Sequence, residues 1–311
     1  PLNLANMEMK WCPKSEWKNI FYESWRQMRD FFYVENMHGV DWVKMKKRYE
    51  PLLKHVNHRN DLTYIIGEMI GELNVGHAYT GGGERPRLKP VKVGLLGAEL
   101  ERDAKTGFYK ITKILPGHNW DKTLISPLTV VGVKAKVGEY ITAIDGKSTA
   151  DMKNPHAALN NKVGKQVTLT LNAAPAAKGG HDEVIVPVQG VRQLYYYDWI
   201  YENIRKVNEA SNGKIGYVHI PDMGIGGLIT FVKFYLPQLR KKALIVDVRG
   251  NGGGFVSELV MERLRREIVM FDMARGTDPS TNPLEMIYGP MVCLADEFSA
   301  SDGDIFPYRF K

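Results

Sequence analysis

The stretch "ALIVDVRGNGGGF", residues 243–255, decides how the rest of this chain is read. Its first six residues are apolar apart from Asp247 and lack the alternation of a half-exposed strand, so they predict a strand buried on both faces. Gly250, Gly252, Gly253 and Gly254 then let the backbone approach a ligand closely, and their amides can converge on an anion. A strand buried on both faces needs covering layers, and the flanking sequence supplies them. Residues 215–220 and "PMVCLA" (290–295) predict two further strands, the latter also buried. Helices are expected at 228–239 and 257–266, with a polar helix leading in at 199–212. Strands alternating with helices imply an α/β layer over residues 191–311.

Upstream, large apolar residues recur at three- and four-residue steps from Trp17 to Phe32, the mark of an amphipathic helix, with Ser15 as its expected cap. A second helix is expected after Asp41 and a third over 61–74, which together make a helical domain at 1–86. "VGHAYTGGGERP" (75–86) reads as a short extended piece and a glycine-rich connector. Residues 87–190 carry short β-type runs at 91–100, 108–114, 140–144, 166–171 and 184–188, with "AAPAAKGG" (173–180) as a hairpin tip. The fold class expected is therefore multidomain α+β: a helical domain, a mostly β domain and an α/β domain.

Composition narrows the function. The 311 residues are 44% hydrophobic and 25% charged, enough for two or three packed domains. The net charge of +7 is spread along the chain, which reads as solvated faces, and no nucleic-acid partner is expected. Cys12 and Cys293 are the only cysteines, so no disulfide framework is expected and both read as ordinary thiols. No apolar run reaches the roughly 18 residues that a bilayer-crossing helix needs, so no membrane partner is expected. The first residue is Pro1, so the native start is expected to lie upstream.

The second chemical signal is "CLADEFSASDGDIFPY" (293–308). A nucleophilic serine must stand at a tight bend between strand and helix, with small neighbours, so that its oxygen clears the backbone. Ser299-Ala300-Ser301-Asp302-Gly303 has that composition, with a helix expected to start near Asp304. The same residues also suit a helix cap with acids in the first turn. Asp302 and Asp304 could likewise suggest a cation site, but further ligands in register are missing and no metal or other cofactor is expected. The glycine run lacks the Lys-Ser or Lys-Thr of a phosphate loop, which leaves an oxyanion hole as the better use of its amides. Among eight histidines, His77 stands out in "VGHAY", where small neighbours leave the ring accessible.

Taken together, "GELNVGHAY", "VDVRGNGGG" and "DEFSASDGDIFPY" resemble the core of tricorn protease and its bacterial relatives, serine peptidases related to carboxy-terminal processing proteases. "FYESWRQMRDFFYVENMHGVDW" resembles the family's first core helices, and "GLLGAELE", "ITKILPG" and "VGEYITAIDGK" its PDZ-like domain. The resemblance implies a crotonase/ClpP-like α/β catalytic domain, with Ser301 as nucleophile and His77 as general base. It implies an oxyanion hole from Asp302 and one glycine of 252–254, Gly254 first and Gly253 next, and assigns Asp272 to substrate specificity for a basic side chain. Oligopeptide substrates, a homo-oligomer (a hexamer) and a cytoplasmic location, with the periplasm as alternative, are also implied. Two departures accompany it. Gly76 stands where family members commonly carry an orienting serine, and the family's orienting glutamate is expected beyond Lys311, so a fragment ending there is expected to be weakly active or silent. A catalytically dead, PDZ-type peptide-binding module is the alternative.

Overall fold

The computed structural model describes residues 7, 8, 10–84 and 88–311, and the chain divides into two compact units between residues 90 and 91. The expected boundary at 86/87 lies outside the described residues.

The first unit is helical: α1 (Pro13–Phe31), α2 (Trp42–Tyr49) and α3 (Arg59–Gly71). Trp17 and Phe21 of α1 meet Leu62, Ile66 and Met69 of α3 in one apolar core. The start of α1 differs from the reading that made Ser15 the cap. Pro13 occupies the first turn and Cys12 is the N-cap residue, because proline's fixed φ and missing N–H suit a helix start. Asp41 caps α2 through the Lys44 amide.

The second unit opens with an antiparallel sheet, β1 (Ala98–Arg102), β2 (Tyr109–Ile114), β3 (Tyr140–Ile144), β4 (Lys147–Ser148), β5 (Val167–Asn172) and β6 (His181–Ile185), in the order β1-β2-β3-β5-β6 with β4 on β3. Ile111, Ile141, Leu169 and Leu171 form its core. The predicted run at 91–100 ladders only from Ala98 onward. Before that, Val93 and Leu95 make single bridges to Asn160 and Val188, and Gly97 at φ 70 breaks the strand between the two parts. Pro187, which has no amide to donate, follows the end of β6.

The α/β region follows as α4 (Arg192–Ala210), β7 (Ile215–His219), α5 (Ile225–Tyr235), β8 (Ala243–Asp247), α6 (Ser257–Leu264), the ribbon β9 (Met270–Asp272) and β10 (Ser280–Asn282), β11 (Met291–Leu294) and α7 (Asp302–Phe310). The strands β11-β8-β7 are parallel, with Val246 opposite both Val218 and Cys293. Phe231, Val246, Val260 and the fully buried Phe306 share its core. β8 is the central strand, as its apolar run predicts, whereas β11 is an edge strand with Val292 exposed, so the expectation of a second fully buried strand fails there. Leu115, Leu124 and Leu194 join the β-rich and α/β regions, beside a Lys113–Asp198 ion pair. In such a parallel sheet, ligands gather outside the carboxyl ends of the strands. Here those ends deliver residues 220–224, 249–254 and 295–301.

Candidate active site

Leaving β11, the chain turns at Asp296, whose Oδ1 accepts from the Gly250 N–H at 2.8 Å and the Phe298 N–H at 3.1 Å. The Ser299 hydroxyl donates to the Val248 carbonyl at 2.9 Å, and the Ala300 N–H to the Asn251 carbonyl at 2.9 Å. Three ties thus bind the serine corner to the glycine loop after β8. Ser299 is therefore a structural tie, and the corner's second serine is the one left over. Ser301 sits at φ 55 and ψ −127 immediately before α7, a conformation that costs a side-chain-bearing residue on the order of 1–3 kcal/mol and persists where surrounding bonds over-determine it. Its hydroxyl makes no cap bond, which removes the helix-cap reading for this residue.

The next residue has a divided role. The Asp302 carboxylate is buried and accepts from both the backbone N–H and the hydroxyl of Ser257, the first residue of α6. Its side chain is turned away from Asp304, which is exposed, so the Asp302/Asp304 cation reading fails; among the described residues no cluster of metal-ligating side chains exists. α7 begins at Asp302, two residues earlier than expected, because this carboxylate and the Ala300 carbonyl fix its first turn.

On the other side of the corner lies the glycine loop. A Cβ on Gly253, at φ 97, would fall 2.7 Å from the Ser301 Cβ and 2.9 Å from the Asp302 nitrogen, so only glycine lets the loop come this close. Gly254 bridges in parallel to Met223, whose N–H donates to the Gly253 carbonyl and whose carbonyl accepts from Phe255. That pattern leaves the Gly254 N–H facing away from Met223. The Gly254 and Asp302 amides have no acceptor among the described residues, whereas the Gly253 N–H is taken by Asn251 Oδ1 at 2.9 Å. Gly254 is thus the better placed donor of the two glycines.

Beneath the loop lies a buried polar network. Asp247, fully buried, accepts from the Tyr217 hydroxyl at 2.7 Å and pairs with Arg249. Burial opposes its charge, but the Arg249 and Tyr217 hydrogen bonds win and hold the carboxyl below the ordinary range. His219 touches the Arg249 carbonyl through Nε2 and the Tyr196 hydroxyl through Nδ1, and burial pushes its pKa down. It is a satisfied core histidine. Burial likewise raises the Cys293 thiol to about 11, in keeping with an inert cysteine.

His77 belongs to the first unit. It does not lie in extended chain, as expected, but on a turn at φ 61, exposed, with Val75 and Ala78 packed on the helical core either side of it. The Tyr79 hydroxyl stands 3.5 Å from its Nδ1. At Gly76 a Cβ would meet nothing within 4 Å, so the site of the missing serine is open. Asp272 is exposed on the β9–β10 ribbon, within reach of Asn282 Nδ2 at 3.4 Å, and makes no hydrogen bond to the serine corner among the described residues. The structure thus gathers Ser301, Asp302, Gly253 and Gly254 at one bend. Sequence reasoning passed over Asn251, Ser257 and Asp296, of which Asn251, directly before Gly252, and Asp296 are residue types that carry a turn signal.

The sequence matches the tricorn protease C1 domain over residues 13–71, the tricorn protease PDZ domain over 94–189 and peptidase family S41 over 214–311. It is 37% identical over 305 residues to tricorn protease homolog 1 of Streptomyces coelicolor, covering 96% of this chain and 28% of that protein. With the tricorn protease of Thermoplasma volcanium it shares 33% identity over 299 residues, 96% of this chain and 28% of the relative. A crystal structure of the tricorn protease superposes with a TM-score of 0.89 at 30% identity, over 99% of this chain and 30% of that one. The chain therefore spans less than a third of the length of these relatives.

Proposed function

With its C1, PDZ and peptidase S41 domains the chain belongs to the tricorn proteases, and from that premise we propose that it is the catalytic part of a serine peptidase that hydrolyses oligopeptides through an acyl-enzyme. One observation carries the reading: Ser301 is held in a strained backbone conformation on a bend tied to the glycine loop, beside two amides without acceptors among the described residues. Strain of this kind is found where a serine must be presented to a substrate.

In the proposed mechanism His77 accepts the Ser301 hydroxyl proton as Oγ bonds to the scissile carbonyl carbon. The Gly254 and Asp302 amides hold the tetrahedral oxyanion. His77 then returns the proton to the leaving amine as the C–N bond breaks, and water, deprotonated by the same imidazole, releases the acyl group from Oγ. The Asp302 side chain takes no proton in this scheme, since Ser257 occupies it. Gly253 shapes the loop and Gly254 donates. Asp272 is proposed to favour a basic residue before the scissile bond. The proposal extends to domain limits at 1–86, 87–190 and 191–311, a homo-oligomeric, hexameric assembly and a cytoplasmic location. No helix among the described residues is long and apolar enough to cross a membrane.

Labelling with a serine-reactive fluorophosphonate tests the reading. The full-length protein that carries this chain is expected to be modified at Ser301, and Ser301→Ala to abolish the label. Gly76 favours a second reading, a peptide-binding module without catalysis; tight peptide binding by a full-length protein that takes no label would establish it in place of the first.

A further inference from the structure

Asn251, in the loop after β8, hydrogen-bonds to both of the other strand-end segments around the serine corner. Its side chain is fully buried and both of its polar ends are used. Nδ2 donates to the Ile220 carbonyl at the end of β7 at 2.9 Å, and Oδ1 accepts from the Gly253 N–H at 2.9 Å. Its own carbonyl accepts from the Ala300 N–H at 2.9 Å, next to Ser301, while its N–H donates to the Val248 carbonyl at 3.1 Å. The residue therefore references the loop after β8 both to the strand beside it and to the nucleophile's bend.

We propose that Asn251 is the positioning residue of the oxyanion hole: its carboxamide turns the Gly253 amide inward and so sets the Gly254 N–H at the height of the Asp302 N–H. The inference rests on the peptidase reading above. The peptide between Gly252 and Gly253 has no side chain to hold it, and glycine backbones sample both signs of φ almost equally. A fixed acceptor inside the loop is what selects one arrangement. Two amides converge on one oxygen only if both peptide planes are held, and an error near 1 Å in such a site is costly in rate. Asn251 fixes one plane through its side chain and the opposite wall through its carbonyl. It touches no substrate atom, so its effect is confined to the step in which charge develops on the oxyanion.

The test is steady-state cleavage of a fluorogenic peptide by the full-length protein, with Asn251→Ala compared with wild type. The expected result is a kcat lowered about 100-fold with KM within about threefold, the signature of an interaction strengthened in the transition state. A peptide aldehyde, whose adduct with Ser301 carries the oxyanion, should lose affinity by a similar factor, whereas a product peptide should bind unchanged. An unaltered kcat in a folded variant overturns the proposal. So does a parallel loss of turnover, aldehyde binding and product binding, which marks a purely structural role. If Asn251→Ala does not fold, Asn251→Leu, which keeps the bulk and lacks the acceptor, is measured by the same criteria; Asn251→Ser, whose hydroxyl can still accept from an amide two residues on, should instead retain most of the turnover, and its loss would overturn the proposal. Wild type and Ser301→Ala run alongside. No turnover and no label in wild type would overturn the peptidase reading itself, while turnover that survives in Asn251→Ala overturns only the role of Asn251.

Discussion

At the scale of single residues, backbone conformation carries the chemistry here more than side-chain identity does. Ser301 and His77 both sit at positive φ, 55 and 61, where residues with a Cβ are uncommon. Neither could be read from residue type, and "VGHAY" looked extended because nothing in its composition demands a turn. The glycine run is more legible, although its members differ. Gly253→Ala places a methyl 2.7 Å from the Ser301 Cβ at φ 97, while at Gly252 a methyl meets nothing within 4 Å. Gly253→Ala is therefore expected to cost about 1–3 kcal/mol and to remove most fluorophosphonate labelling, with Gly252→Ala close to wild type in both. Thermal unfolding and labelling rates of the two variants check this; equal behaviour would mean that the loop does not press on the serine.

At the scale of elements, amphipathic spacing was enough to find α1, α2 and α3, because burial against a single core imprints a 3.6-residue period. It did not reveal how α6 and α7 are locked together. The Asp302 carboxylate at the start of α7 is held by the amide and hydroxyl of Ser257 at the start of α6, so α7 supplies the acceptor that the first amide of α6 lacks and α6 supplies the donors for the buried carboxylate. Asp302 lies buried, and removal of one partner leaves it underbonded. Ser257→Ala is expected to lower stability by about 1.5–3 kcal/mol, the range for a hydrogen bond to a charged group. It should also slow acylation of Ser301, because the amide next to that serine loses its anchor. Urea denaturation and labelling kinetics measure the two effects; a variant as stable as wild type would show that the pair is dispensable.

At the scale of the whole molecule, the buried titratable groups beneath the glycine loop give the fold a defined response to acid. His219 is 5% exposed, and burial lowers its pKa against the pull of the Arg249 carbonyl and the Asp247 charge. His156 and His118 are shifted the same way, also chiefly by burial. Unfolded chain therefore takes up these protons first, so stability is complete above about pH 6.5 and declines as the pH falls through the window below it. Asp247 adds a second loss below about pH 4, where its Arg249 and Tyr217 bonds must be given up. In His219→Gln the melting temperature should fall less steeply between pH 6.5 and 5, as expected when one depressed histidine is removed. An unchanged slope would assign the acid response elsewhere.

The amino-acid sequence by itself determined the order of the three regions, the central strand and its glycine loop, and a serine corner of the right composition, because these depend on local periodicity and on residues suited to tight bends. Composition left open which of Ser299 and Ser301 was free, and whether Asp302 served as ligand, cap or clamp. Only the tertiary structure decided those points. The Val248 carbonyl, the Asn251 carbonyl and the Ser257 hydroxyl come from 45 to 51 residues upstream of their partners. A hydrogen bond between such distant segments exists only after the parallel strands have aligned, so no local pattern can encode it.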